Sequence, residues 1–257
     1  MNLEILFYGQ VGFFFKSRGA NFLIDPYFSH SVEEKEDRSI KRLLPVFIKP
    51  ESLTDIDFVL ITHAHRDHCD PDTLLPLAKS SPQCHFYGPA PVFKTLKNAG
   101  IDSERLHIVG SDSICIKGVN IHPVPSAHPL VNPDEHGGWC ATGYVFEVGG
   151  GRYYHPGDTA VAPEVIEAVK ATGPIDVGMI PVNEINYYRN RENIIGNMSL
   201  REAFQFAEDI GVTTFIPTHW DMFAKNQVYR EEIELLYTKI TPSFELKIME
   251  AGSSIVS

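Results

Sequence analysis

Within the stretch Leu60-Ile61-Thr62-His63-Ala64-His65-Arg66-Asp67-His68-Cys69-Asp70, four side chains able to ligate a metal fall inside six positions. Imidazoles held that close repel one another once protonated and gain little by packing. A fold that keeps them together must be rewarded for it, and neutral imidazole with carboxylate suits Zn²⁺, Mn²⁺ or Fe²⁺. The run before them, Ile56–Ile61, is short and mostly apolar, as in a strand buried on both faces. After them Asp70 reads as an N-cap and Pro71 as the first residue of a helix, Pro71–Ser80. The cluster therefore leaves a buried strand and enters a capped helix, the usual place for a site in an α/β sheet.

Elsewhere short strands and helices succeed one another. Leu3–Tyr8, Gly12–Lys16 and Asn21–Ile24 are expected to form a small meander separated by turn residues. Cys84–Tyr87, Leu106–Val109, Ser113–Ile116, Val119–Val124, Val177–Pro181 and Thr213–Ile216 read as further strands. Gly149-Gly150-Gly151 joins Tyr144–Val148 to Tyr153–His155 as a hairpin. Helices are expected over Pro91–Ala99, Pro163–Ala171 and Tyr229–Thr238. Another is capped by Ser199, with Glu202 completing a capping box, and runs to Asp209 before Gly211. Ser29–Pro50, rich in charge, reads as a surface excursion placed as a lid. The sum is an α/β sandwich with two sheets inside and helices outside. No linker or repeat divides the chain, so one domain over residues 1–257 is expected.

Three later residues strengthen the metal reading. His128, Asp158 and His219 each lie just past the end of an expected strand, in Val124-Pro125-Ser126-Ala127-His128, His155-Pro156-Gly157-Asp158-Thr159 and Ile216-Pro217-Thr218-His219-Trp220. One such placement is weak, since polar residues are common there. Three together with the cluster are strong. His30, His85, His107 and His122 stand alone and are set aside as ordinary histidines.

The order His-x-His-x-Asp-His, then His, Asp and His, resembles the metallo-β-lactamase fold over almost the whole chain. The resemblance implies a four-layer αβ/βα sandwich with a two-metal site at one edge. It implies that His63, His65 and His128 hold one ion, that Asp67, His68 and His219 hold the other, and that Asp158 bridges them. Position 65 is His, unlike the His-x-Glu-x-Asp form of oxygen-reducing di-iron members, which argues against redox chemistry. Stretches such as Tyr154-His155-Pro156-Gly157-Asp158-Thr159 and Ile216-Pro217-Thr218-His219-Trp220-Asp221 are similar to the L-ascorbate-6-phosphate lactonase-like hydrolases. That similarity implies two divalent ions, zinc or manganese. Its expected chemistry is a metal-bridged hydroxide attacking a small lactone or ester, with Asp67 as the catalytic proton acceptor.

Charge narrows the substrate. Lys+Arg 22 against Asp+Glu 33 gives −11, which opposes nucleic acid or anionic lipid as a partner. Two divalent ions with Asp67, Asp158 and a hydroxide sum to about +1, which favours a small anionic substrate. Arg189 and Arg191 are candidates to clamp it, against the alternative of solvated surface arginines. Asn183 and Glu184 follow a strand directly and are nearer candidates; His136 and Trp139 belong to another rim loop. Asp221 is a candidate partner for an imidazole N–H. A phosphodiesterase of the same fold acting on RNA or phospholipid is an alternative, and a non-catalytic metabolite-binding protein a third. A phospholipid substrate needs an apolar face, which Phe13-Phe14-Phe15 supplies unless those residues enter the core. Four cysteines without a CxxC, no leader-like N-terminus and no long apolar run lead to the expectation of a cytoplasmic protein, with a homo-oligomer left open.

Overall fold

The computed structural model describes residues 3–257; the reading that excluded a leader begins on Met1 and Asn2, outside them. Strands β1 (Glu4–Phe7), β2 (Phe13–Lys16) and β3 (Asn21–Ile24) form the antiparallel meander, with Ile5 opposite Phe15 and Phe15 opposite Phe22. β3 then pairs in parallel with β4 (Phe58–Leu60), β4 with β5 (His85–Gly88), and β5 with β6 (Leu106–Ile108). The parallel pairs require crossovers, which residues 25–57 supply between β3 and β4, α2 (Pro71–Ser80) between β4 and β5, and α3 (Ala90–Ala99) between β5 and β6. The last strand, β14 (Ser254–Val256), lines the other edge against β1.

The second sheet repeats this plan. β7 (Ile114–Ile116), β8 (Val119–Pro125), β9 (Thr142–Val148) and β10 (Gly151–His155) run antiparallel in turn. β11 (Ile175–Pro181), β12 (Val212–Thr218) and β13 (Glu245–Leu246) continue it in parallel. Helices α4 (Pro163–Ala171), α6 (Leu200–Ile210) and α7 (Arg230–Ile240) cover its outer face.

Three apolar clusters define the layers. Phe13, Phe15, Phe22, Phe58, Tyr144, Phe146 and Met179 fill the space between the sheets. Leu74, Leu77, Val92 and Leu96 bind α2 and α3 to the back of the first sheet. Val165, Phe204, Phe206 and Ile233 bind α4, α6 and α7 to the back of the second. The expected αβ/βα sandwich is the observed fold. Strand alternation splits the Phe13-Phe14-Phe15 run, with Phe13 and Phe15 between the sheets and Phe14 behind. All three are buried, so the run offers no exposed apolar face.

Local signals set the helix ends. Asp70 accepts the Asp72 N–H, Ser199 and Glu202 close their capping box, and Gly100 and Gly211 end α3 and α6 in the left-handed region. Helices α1 (Ser31–Lys35) and α5 (Tyr187–Arg191) and strands β13 and β14 were not anticipated. Each is five residues or fewer, too short for a periodic pattern, and the two strands exist through edge pairing. No described helix is long and apolar enough to cross a membrane.

Candidate metal centre

The four chain segments that carry ligand-type residues all leave carboxyl ends of strands: β4 leads to His63–His68, β8 to His128, β10 to Asp158 and β12 to His219. The turn after β4 is held by His68 and Cys69 N–H groups donating to the His65 carbonyl at 3.1 and 2.7 Å. Two bonds tie this turn to the other sheet. Thr142 N–H donates to the Thr62 carbonyl at 2.9 Å, and the Tyr144 hydroxyl to the Ile61 carbonyl at 2.8 Å. Gly157 has φ +62°, and a Cβ there would lie inside the Thr62 side chain. Glycine is therefore what lets Asp158 approach the turn.

The structure brings all seven sequence-predicted ligand residues together. One set is His63, His65 and His128, a second His63, His68 and Asp158, and a third Asp67, His68 and His219; within each set the ligand atoms lie within 4.8 Å of one another. Asp158 reaches both halves, with Oδ1 3.3 Å from His68 Nε2 and Oδ2 3.6 Å from His128 Nε2. Its Oδ1 also stands 3.4 Å from His219 Nε2. Buried His63 Nε2, His68 Nε2, His128 Nδ1 and Asp158 Oδ1 have no hydrogen-bond partner. Orphaned buried polar atoms are costly, and this donor set of imidazoles and carboxylates fits divalent ions.

The electrostatics divide the cluster. Burial first, then neighbouring imidazoles, holds the pKa of His63 well below its ordinary value and that of His128 at about 4. Those rings stay neutral, with lone pairs available. Burial also opposes charge on His68 and His219, but the surrounding carboxylates outweigh it. Asp158, Asp67 and Asp25 hold His68 well above its ordinary value, and Asp158 and Asp67 hold His219 at about 9. Burial works against ionised Asp67 and Asp158, yet His68 and His219 keep both well below the usual carboxylate range. Without an ion, protons occupy positions in this half that an ion would take.

Residues that the sequence reading did not select orient the cluster. Asp25 follows β3, and the parallel register Ile24↔Leu60 sets it beside Thr62. Its carboxylate accepts from Thr62 N–H at 2.8 Å and Thr62 Oγ1–H at 2.5 Å, and lies 2.7 Å from His68 Nδ1. With a proton on Nδ1, the Nε2 lone pair of His68 faces the cluster. Gln10, in the β1–β2 turn, is buried and left-handed at φ 58°. Its Nε2 donates to Asp67 Oδ2 at 2.7 Å and lies 2.9 Å from His219 Nε2. Asn226 lies 3.2 Å from His219 Nδ1 through its carboxamide.

Asp221, expected to meet an imidazole N–H, instead accepts the Gln10 backbone N–H at 2.8 Å. The left-handed backbone of His219 (φ 59°) offers its ring to Asn226 rather than to the carboxylate two residues on. Burial raises the pKa of Asp221 to about 6. Asn183 lies behind Asn226, donating to its Oδ1 at 2.9 Å, so it reaches the cluster through that amide.

A cavity of about 200 Å³ opens beside the cluster. His65, Asp67, Asp158 and His219 border it on one side, and Val32, Ile40, Ile194, Ile195 and Phe223 form an apolar wall. The Ser29–Pro50 excursion thus contributes Val32 and Ile40, through α1 and the chain beyond it. Arg189 and Arg191 are not brought to this cavity. Arg189 donates to the Glu184 carbonyl at 2.9 Å and the Gln227 carbonyl at 3.0 Å, beside a different recess. Arg191 lies over the Tyr188 ring at 5.9 Å. Glu184 accepts from Asn186 Nδ2 at 3.0 Å, and it too borders the other recess. His136 is exposed and Trp139 half-buried on the 133–139 loop, and neither borders the cavity.

The fold and the clustered ligands define a protein of the metallo-β-lactamase class. Residues 20–220 match the family described as "Beta-lactamase superfamily domain", and the chain belongs to it. A UPF0173 metal-dependent hydrolase of Methanoculleus marisnigri is 29% identical over 213 residues, covering 81% of this chain and 86% of that protein. An N-acyl-phosphatidylethanolamine-hydrolyzing phospholipase D of Caenorhabditis elegans is 25% identical, covering 80% of this chain but 60% of that protein. A probable L-ascorbate-6-phosphate lactonase of Salmonella paratyphi B is 26% identical, covering 76% of this chain and 58% of that protein. The match thus spans about three-fifths of the phospholipase and of the lactonase. Among solved structures, a possible metal-dependent hydrolase from Veillonella parvula superposes with TM-score 0.77 at 19% identity, covering 98% of each chain.

Proposed function

We propose that this chain is a single-domain hydrolase with two divalent ions, zinc or manganese, that opens a small lactone or ester. The observation that carries the reading is the convergence of five imidazoles and two carboxylates with orphaned buried ligand atoms at one sheet edge. The relatives described as metal-dependent hydrolases support it. His63, His65 and His128 would hold one ion, Asp67, His68 and His219 the other, with Asp158 between them. Bound ions supply Lewis acidity and bring the pKa of water near 7.

The chain's own groups do the rest. Asp67 would accept a proton from the attacking water, with Gln10 Nε2 donating to its Oδ2. Asp25 and Asn226 fix the faces that His68 and His219 present. The apolar wall excludes bulk water from one side of the reacting centre. In the net reaction the water oxygen bonds to the carbonyl carbon and the C–O bond to the alkoxy oxygen breaks. One water proton ends on that oxygen and the other is released from the new acid.

A phosphodiester substrate is the second reading, favoured by the similarity to the phospholipase. The test is a panel of lactones, esters and phosphodiesters with protein stripped of metal and reloaded, metal content being measured in parallel. Hydrolysis of lactones or esters that requires two bound ions is the expected result. A fully reconstituted protein holding no metal near His63 and His65 overturns the reading.

A further inference from the structure

We propose that the group carried by the substrate beside its reacting carbonyl is a short neutral alkyl chain, seated against Ile40, Ile194, Ile195 and Phe223. This rests on the hydrolase reading and names the substrate class for the same site. The expected anionic substrate rested on two supports, and the structure removes both. The arginines are engaged elsewhere. The charge count omitted Asp25, whose carboxylate against Thr62 and His68 brings the sum of about +1 to near zero.

The cavity itself offers an anion little. Lys225 is the one lysine or arginine among the described residues bordering it, and its Nζ lies 2.8 Å from Glu192 and 2.7 Å from Ser39 Oγ. Glu36, also at its border, adds a negative charge 3.2 Å from Arg66. A phosphate seated there loses water against apolar carbon and meets no unpaired lysine or arginine among the described residues. An alkyl chain loses nothing and covers Ile195, which is 41% exposed. The volume of about 200 Å³ is below that of cavities that enclose drug-sized ligands, so the chain is a few carbons long.

The experiment has a kinetic and a binding arm. With metal-loaded protein, kcat/KM is measured for γ-lactones carrying methyl, ethyl, propyl or butyl substituents, beside a phosphorylated sugar lactone. We expect about a 4-fold gain per buried methylene, and the phosphorylated lactone slower than the butyl one. Ile194→Lys, on a half-buried loop position, should flatten that series and improve the phosphorylated substrate. In the binding arm, zinc-loaded protein is titrated with 1-hexanol and hexyl phosphate while isoleucine methyl resonances are followed. Shifts at Ile40, Ile194 and Ile195 with hexanol, lost at Ile40 and Ile195 in Ile194→Lys, support the proposal even if no lactone turns over; that combination sinks only the lactonase reading. A flat alkyl series, a faster phosphorylated lactone, or methyl shifts with hexyl phosphate alone overturns the proposal and leaves the hydrolase reading standing.

Discussion

Changing Asp25 to Asn keeps the shape of the side chain and removes its charge. The carboxylate now accepts three bonds, from the Thr62 N–H, the Thr62 hydroxyl and His68 Nδ1. An amide has one oxygen, so its NH₂ must face either the Thr62 N–H or the His68 ring. In the first orientation two donors meet in a site where Asp25 is fully buried. In the second, His68 is driven to the tautomer with its proton on Nε2, the atom that faces the cluster. Losing a charge-assisted hydrogen bond costs about 1.5–3 kcal/mol. For a protein of this size that corresponds to a fall of roughly 4–10 °C in the melting temperature of the metal-free form. A group that orients a ligand typically carries about 10- to 100-fold in metal affinity. Calorimetric titration of stripped Asp25→Asn should therefore show one ion bound as in the wild type and the other weakened by that factor. Asp25→Ala, which leaves no opposing donor, should retain more affinity than Asp25→Asn. If Asp25→Asn binds both ions with unchanged affinity and melts with the wild type, Asp25 does not orient His68.

Three further outcomes are expected. His219 is held at about 9, above its ordinary value, so its contribution to the metal-free fold is complete below its ordinary pKa and lost as pH rises through about 9. Urea unfolding of stripped protein should show a loss of roughly 3 kcal/mol from this group over that window, while metal-loaded protein lacks the slope; a flat profile for stripped protein refutes the assignment. Asp67→Asn should stay folded by circular dichroism yet lose about 10²-fold or more in hydrolysis, because an amide accepts no proton; full activity with both ions bound would make Asp67 a bystander. Gly157→Ala sets a Cβ into Thr62 at a left-handed backbone position and should lower stability by about 2–4 kcal/mol with loss of metal, an unchanged melting temperature counting against the tight approach.

The sequence by itself determined the residues whose meaning is local. Asp70 and Pro71 start α2, Ser199 and Glu202 start α6, and Gly211 ends it, because caps act within one turn of chain. The four ligand-type residues between His63 and His68 were legible for the same reason. His128, Asp158 and His219 were legible because each follows a strand that reads as a strand, and parallel or hairpin-paired strands bring such ends to one edge. The tertiary structure alone decided what crosses long separations. Asp25 meets His68 across 43 positions and Gln10 meets Asp67 across 57; Asp25 carries the same strand-end mark as Asp158, but nothing local says which side chain either of them faces. Only the parallel register of β3 on β4 sets Asp25 beside Thr62. Arg189 and Arg191 read as candidate anion clamps or solvated arginines, and Lys225, at the cavity border, has nothing in the sequence to single it out; a cation recognises an anion only where no carbonyl, ring or carboxylate already holds it. The fold had given each of the three such a neighbour, and so left the apolar wall of the cavity beside the ligands without an unpaired lysine or arginine among the described residues.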